Sequence, residues 1–228
     1  MQMVAILCTM LAVTGVSREP ETGKRWSWEG RHAQFLETIA ANGEKPYDIV
    51  FLGDSLTELM TSEPRGNREV FEEFYGGLNT LNLGIRGDRI ENLVWRLEHG
   101  ELDGYRARLF RILIGTNNVP KRWTAEEICA GVRQIAEMVA AKHPEAKIEI
   151  VSILPRDDRK CPRDGMERIR NANRLLAGIC DGEKVVLVDA SAKFLDERGL
   201  IKMELYTDGL HLSPEGYRTL FAEGRKPN

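Results

Sequence analysis

Five apolar runs recur along the chain, and the segments between them have a different period. The runs are DIVFL (48–52), LNTLNLG (78–84), RLFRILIG (108–115), KIEIVSIL (147–154) and KVVLVDA (184–190). Their interiors are mostly continuous in hydrophobicity, the texture of strands buried on both faces. The intervening segments instead carry apolar residues three and four apart. RHAQFLETIAANG places Ala33, Leu36, Ile39 and Ala40 at helical spacing, with Gly43 as a stop. GDRIENLVWRLEHG (87–100) sets Ile90, Leu93, Val94 and Leu97 on one face and ends at Gly100. TAEEICAGVRQIAEMVAAKH (124–143) opens on a capping box of Thr124 and Glu127. MERIRNANRLLAGIC (166–180) and a segment from Ser213-Pro214 through Phe221 complete the set, the last with proline at its first helical position. Alternation of this kind predicts a parallel sheet with helices on both faces. Residues 18–30 read as a polar lead-in with two tryptophans. No repeat or linker divides residues 25–224, so one three-layer α/β/α domain is expected there.

Composition removes several other classes. At 228 residues, 42% hydrophobic and 29% charged, the chain is long and apolar enough to bury a core. A formal charge of -3, from 32 basic and 35 acidic residues, leaves no footprint for nucleic acid. No basic amphipathic segment points to a membrane surface, and VAILCTMLAV (4–13) is too short to span a bilayer as a helix. That run resembles the apolar part of a secretory signal, with Gly15 and Ser17 near the cleavage point. Residues 1–17 therefore read as a signal segment, and the protein as secreted or periplasmic. Met1-Gln2-Met3 carries no basic side chain, which argues the other way and keeps a cytoplasmic location open. Cys8, Cys129, Cys161 and Cys180 make no CxxC and no zinc spacing. Cys129 and Cys180 read as core packing, while a Cys161–Cys180 disulfide stays open.

In an open parallel sheet, ligands bind beyond the carboxyl ends of the strands, at the point where strand order reverses. In a flavodoxin-like sheet of order 2-1-3-4-5, the loops after the first three strands converge. These are Gly53-Asp54-Ser55, Gly84-Ile85-Arg86-Gly87 and Gly115-Thr116-Asn117-Asn118. Ser55 then stands at the entrance to a helix, where the dipole favours a nucleophile and an unpaired N–H can hold an oxyanion. A serine nucleophile needs a base, usually histidine oriented by a carboxylate. His32 reads as surface or core edge. His99 and His143 sit at helix ends, where a cation suits the dipole. His211, in YTDGLHLSPEGY, has Asp208 three residues before it. Asp208 could accept from one ring nitrogen and leave the other for Ser55; a turn Asp beside a capping His is the alternative. Two ligands are too few to hold a metal.

Taken together, GDS (53–55), the glycine of NLG (82–84), GTNN (115–118) and DGLH (208–211) resemble, in order, the four blocks of the SGNH hydrolases, or GDSL esterase/lipase family. The resemblance runs from about residue 45 to 222. VWRLEHGEL, GTNN and SILPR are most similar to the catalytic subunits of the intracellular platelet-activating-factor acetylhydrolase and their bacterial relatives. It implies the SGNH hydrolase fold, with Ser55 as nucleophile, His211 as general base and acid, and Asp208 as its orienting carboxylate. It implies an oxyanion hole made by the N–H groups of Ser55 and Gly84 and the Asn117 amide. No metal or organic cofactor is implied, and the intracellular relatives pair as dimers. The implied activity is hydrolysis of short acyl esters, acetyl foremost, on a small molecule or a carbohydrate. Lysophospholipase- or thioesterase-type hydrolysis and a non-catalytic binding subunit are the alternatives. Thr57 stands where the G-x-S-x-G elbow of another hydrolase fold needs glycine.

Three further residues bear on the pocket. Arg86 stands where many relatives have a small residue; it either lines the pocket and favours a polar or anionic substrate, or turns outward to pair with Asp88 or Glu58. Met60 replaces a tryptophan of many relatives and implies a softer wall. Asp54, adjacent to the nucleophile, reads as a turn carboxylate near the pocket rather than the triad acid. Asp54 and Glu58 would repel a phosphate, which argues against a flavodoxin-like cofactor site.

Overall fold

The computed structural model describes residues 28–63, 66–157, 159 and 161–224, so the signal-like segment 1–17 lies outside the described residues. Five strands form one parallel sheet: β1 (Tyr47–Gly53), β2 (Thr80–Gly84), β3 (Ala107–Leu113), β4 (Lys147–Val151) and β5 (Val185–Val188). Their order is β2-β1-β3-β4-β5, as expected from the sequence. One face is covered by α1 (Trp28–Ala41), α4 (Ile90–Arg96), α5 (Ala125–Lys142) and α6 (Gly165–Ala177). The other is covered by α2 (Ser55–Glu58), α3 (Asn67–Tyr75) and α7 (Pro214–Glu223).

Strand alternation distributes the core between these layers. Val50, Leu52, Phe110, Ile112, Ile148 and Ile150 pack in the first, and Ile49, Phe51, Leu109, Leu113 and Val151 in the second. Two buried charges interrupt the apolar runs. Arg111 and Glu149 are register partners across β3 and β4, with Nε donating to Oε2 at 2.7 Å. Arg111 also donates to the Tyr75 hydroxyl. Pairing and full hydrogen bonding are what make such desolvated charges tolerable.

Several expected faces and ends move. α1 starts inside the lead-in, at Trp28, and buries His32, Phe35 and Ile39; Ala33 and Ala40 are exposed. The helix is turned because His32 finds a buried partner, Glu101, at 2.7 Å, an interaction no count of apolar residues contains. α4 stops at Arg96, and the chain continues as a wide turn over Leu97–Glu101 with Gly100 at φ 105°. α3 has no counterpart among the expected segments, although Val70, Phe71 and Tyr75 lie on one face of it. α5 keeps its capping box, with Thr124 Oγ1 accepting from Glu127 N at 3.2 Å and Glu127 Oε2 from Thr124 N at 2.7 Å. Cys161 and Cys180 are not joined; both are free thiols, as is the buried Cys129. No helix among the described residues is long and apolar enough to cross a membrane.

The feature that positions the site is the paired end of β1 and β2, where Gly53 and Gly84 are register partners. α2 packs directly onto that pair. A Cβ on Gly53 would overlap Thr57 Oγ1 and the Leu113 carbonyl, and one on Gly84 would overlap the Glu58 backbone nitrogen. Tyr217 of α7 holds α2 from the far side, its hydroxyl donating to Leu56 O at 2.8 Å. Gly53→Ala is therefore expected to destabilise the fold by about 3 kcal/mol, read as a lowered urea midpoint at unchanged slope. A midpoint within error of wild type would mean that α2 lifts freely from the strand ends.

Candidate active site

Asp54 caps α2, its Oδ1 accepting from Leu56 N at 2.9 Å, and the helix begins at Ser55. The Ser55 N–H consequently has no intrahelical acceptor. Its hydroxyl lies 3.1 Å from His211 Nε2. The histidine comes from a compact loop ahead of α7. There Asp208 Oδ1 accepts from the N–H groups of Leu210 at 3.0 Å and His211 at 2.8 Å, while Oδ2 lies 2.9 Å from His211 Nδ1. Gly209, at φ 78°, makes the turn, and its carbonyl accepts from Asp157 N at 2.8 Å. Asp208 is thus a turn carboxylate that also orients the ring. The cap of α7 is Ser213, whose Oγ accepts from Gly216 N at 3.2 Å, so His211 is not a capping residue. With Nδ1–H given to Asp208, Nε2 is left to accept the Ser55 proton. Burial opposes ionisation of Asp208, but the His211 and Leu210 N–H groups and the imidazole outweigh it and hold the carboxyl well below the usual range.

The expected oxyanion donors are not equally available. Asn117 Nδ2 donates one hydrogen to Asp88 O at 2.9 Å, leaving its second for a ligand. Its loop is pinned by Asn118, which accepts from Ile90 N at 3.0 Å and donates to Glu91 Oε2 at 2.9 Å. Gly84 N–H is already engaged, donating to Asn82 Oδ1 at 2.9 Å. Asn82 in turn donates to Thr57 O at 2.8 Å, tying the end of β2 to α2. An oxyanion at Gly84 shares this N–H with Asn82 or displaces it.

This order of elements has counterparts in known proteins. Residues 51–219 match the profile of the GDSL-like lipase/acylhydrolase family. The chain belongs to that family. It is 33% identical over 191 residues to platelet-activating factor acetylhydrolase IB subunit alpha1 of Bos taurus, covering 83% of this chain and 77% of the relative. A solved structure from Streptococcus pneumonia superposes with a TM-score of 0.70 at 27% identity, over 86% of this chain and 89% of the other. A GDSL-like lipase from Bacteroides thetaiotaomicron shares the fold with a TM-score of 0.69 at 20% identity, over 84% and 93%.

Two carboxylates lie beneath the site of this GDSL acylhydrolase. Asp54 is fully buried, and its Oδ2 has no hydrogen-bond partner among the described residues. Burial pushes its carboxyl up to about 7; the Leu56 N–H opposes the shift, the Asp88 charge adds to it, and the Arg156 charge opposes it. Asp88 is pushed up to about 6 by burial, against the neighbouring Arg96 charge. Arg96 is wholly buried. It donates to Asp88 Oδ2 through Nε at 3.0 Å and Nη2 at 2.8 Å, to Leu83 O at 3.0 Å, and to Glu101. Trp28 Nε1 donates to Asp88 Oδ1 at 2.7 Å. The Asp88 carbonyl that orients Asn117 therefore belongs to a residue fixed from several sides. The sequence carries a signal for this network: Arg96 falls on the stripe of Ile90, Leu93 and Leu97.

A cleft of about 830 Å³ opens beside Asn117, with Trp28, Arg86, Arg89 and Lys121 among its walls. Arg86 satisfies both of its sequence readings. It lines the cleft, and its Nη2 lies 3.3 Å from Glu58 Oε1; Asp88 is not its partner. Asp54 and Met60 do not line the cleft, contrary to expectation. Asp54 sits under α2 as its cap, and Met60, only 3% exposed, packs in the second core layer because α2 and the turn after it press that side chain inward. Trp28, Arg89 and Lys121 were not singled out by sequence reasoning, since none belongs to a strand-end block. His99 stacks on Trp95 and lies 2.7 Å from the Trp95 carbonyl. His143 departs from the helix-end cation expected of it: burial lowers its pKa, and Nε2 meets Leu102 O at 3.1 Å as a neutral donor. Among the described residues no three His, Cys, Asp or Glu side chains converge as a metal site would require.

The raised Asp54 pKa has a definite sign in stability. The folded protein holds this proton more tightly than the unfolded chain, whose carboxyl titrates near 4. Wild type therefore loses stability as pH rises from about 4 through about 7, by at most about 4 kcal/mol from this group. Asp54→Asn keeps the Leu56 cap and removes the titration. Its thermal midpoint is expected to fall less than that of wild type between pH 4.5 and 8. Parallel losses in the two proteins would show that Asp54 is ionised throughout.

Proposed function

We propose that the chain is a serine carboxylic-ester hydrolase that removes short acyl groups, acetyl foremost, from an oxygen of a polar small-molecule or carbohydrate alcohol. The observation that carries this reading is the relay from Ser55 Oγ through His211 to Asp208, at 3.1 and 2.9 Å. Ser55 Oγ attacks the acyl carbonyl as its proton passes to His211 Nε2. The oxyanion is held by the Ser55 N–H and the Asn117 amide, with Gly84 N–H as a third donor once Asn82 yields it. Collapse expels the alcohol, which takes the proton from His211. Water, activated by the same nitrogen, then releases the acid and restores Ser55. Asp208 stays ionised and steadies the imidazolium. The name of the curated relatives, acetylhydrolase, supports acetyl as the acyl group.

The test is 4-nitrophenol release from acetate, butyrate and octanoate esters. Ser55→Ala and His211→Ala are each expected to abolish turnover with unchanged folding by circular dichroism. The rate should fall with acyl length. Retained turnover in Ser55→Ala would overturn the proposal. Asn117→Ala is expected to lower kcat roughly 100-fold with little change in KM, because that amide acts on charge developed in the transition state. An unchanged kcat would remove Asn117 from the oxyanion hole.

A further inference from the structure

The cleft beside Asn117 is far larger than an acetyl group needs, and at about 830 Å³ it suits a drug-sized ligand. Asn117 is on the walls of this cleft while Ser55 and His211 are not, so an ester held at the Asn117 amide would reach it with one limb only. The acyl limb is short, so the occupant is the alcohol. The walls are unevenly charged. Arg89 is paired with Glu91 at 2.9 Å and Arg86 with Glu58 at 3.3 Å. The two acidic residues on the walls, Glu58 and Asp88, both have cationic partners, Arg86 and Arg96. Arg31 and Lys121 also line the cleft, and neither has a carboxylate partner among the described residues. Arg31 donates only to the neutral Gln34 side chain, at 3.0 Å, and rests its guanidinium over the Phe35 ring. Trp28 lines the same cleft. Its one polar atom is used on Asp88, so it offers the cleft an apolar ring surface.

We propose that this cleft is the leaving-alcohol subsite and that it takes a ring-bearing alcohol carrying an anion, a carboxylate or a phosphate, which Arg31 and Lys121 bind while the ring lies against Trp28. Arg31 supplies a planar fork and Lys121 a compact charge, and both groups suit either oxyanion. The inference rests on the esterase reading for the identity of the reacting ester, but the anion site can be tested apart from it.

Turnover is compared for 3-acetoxybenzoate and the isosteric neutral 3-acetoxybenzamide. In wild type the kcat/KM ratio is expected to favour the benzoate about tenfold at low salt and to shrink with added sodium chloride. In the Arg31→Gln/Lys121→Gln double variant the ratio should fall towards one. A wild-type ratio at or below one, or a ratio unchanged by the double substitution, overturns the proposal. Binding is read separately, by titrating 3-hydroxybenzoate, 3-hydroxyphenyl phosphate and 3-hydroxybenzamide into the Ser55→Ala protein in a calorimeter. Anion binding that the amide does not share, and that the double substitution weakens about tenfold, supports the site even where neither ester is hydrolysed; that combination sinks the esterase reading alone. The tighter of the two anions identifies the natural charge. Absence of binding by both anions overturns the site even where Ser55-dependent turnover is intact.

Discussion

Arg96 is the interaction on which the arrangement of this molecule turns. A guanidinium taken wholly out of water is costly unless charge and hydrogen bonding replace the lost hydration. Here the replacement comes from three elements that flank α4: Leu83 at the end of β2, Asp88 just before the helix, and Glu101 beyond it. Glu101 then engages His32 of α1, and Asp88 engages Trp28 at the start of the same helix. Moving any of these elements away would leave a buried charge unmatched. The network thereby fixes where α1 docks, and it fixes the Asp88 carbonyl against which the Asn117 amide is aimed.

The second constraint is steric. α2 can begin immediately above the strand ends only because Gly53 and Gly84 have no side chains in the way. That proximity places Ser55 at the switch point, in the first turn of α2, where its N–H has no intrahelical acceptor. The partner loop is built by local chemistry instead: one Asp208 carboxylate accepts two backbone N–H groups and one ring nitrogen. The two aspartates near the site are driven in opposite directions for this reason. Asp54 is buried with a single donor, and its proton is held up to near neutral pH. Asp208 is partly exposed with several donors, and it stays ionised. One carboxyl caps the helix that bears Ser55, and the other orients the His211 ring.

The strand order followed from the fold type that the elements suggest, whereas the strands and most of the helices were themselves legible because each leaves a periodic or terminal signature within a few residues. The switch-point loops were legible for the same reason. Ser55, Asn117 and the Asp208–His211 pair follow glycines or precede a Ser-Pro helix start, and such signals are local. The rotation of α1 was not legible, since Phe35 and Ile39 share their face with a histidine that is buried only by virtue of Glu101, 69 residues away. The reading of Asp54 as a turn carboxylate holds, since it caps α2, but neither it nor Met60 reaches the cleft, because closeness to Ser55 in sequence does not decide which side chains around a four-residue helix face it.

By itself the sequence determined the α/β architecture and marked Ser55, Asn117, Asp208 and His211 as the residues to look for, because hydrophobic period, caps and turn residues act over a few positions. Tertiary structure alone decided which donors remain open. Gly84 N–H is claimed by Asn82, Asn117 is half-committed to Asp88, and the Ser55 N–H has no intrahelical acceptor. It also brought Trp28 and Arg31, which precede β1, to one cleft with Lys121, which follows β3. Hydrogen bonds and charges between residues far apart in sequence depend on where the packed layers bring them, and no local pattern encodes that distance.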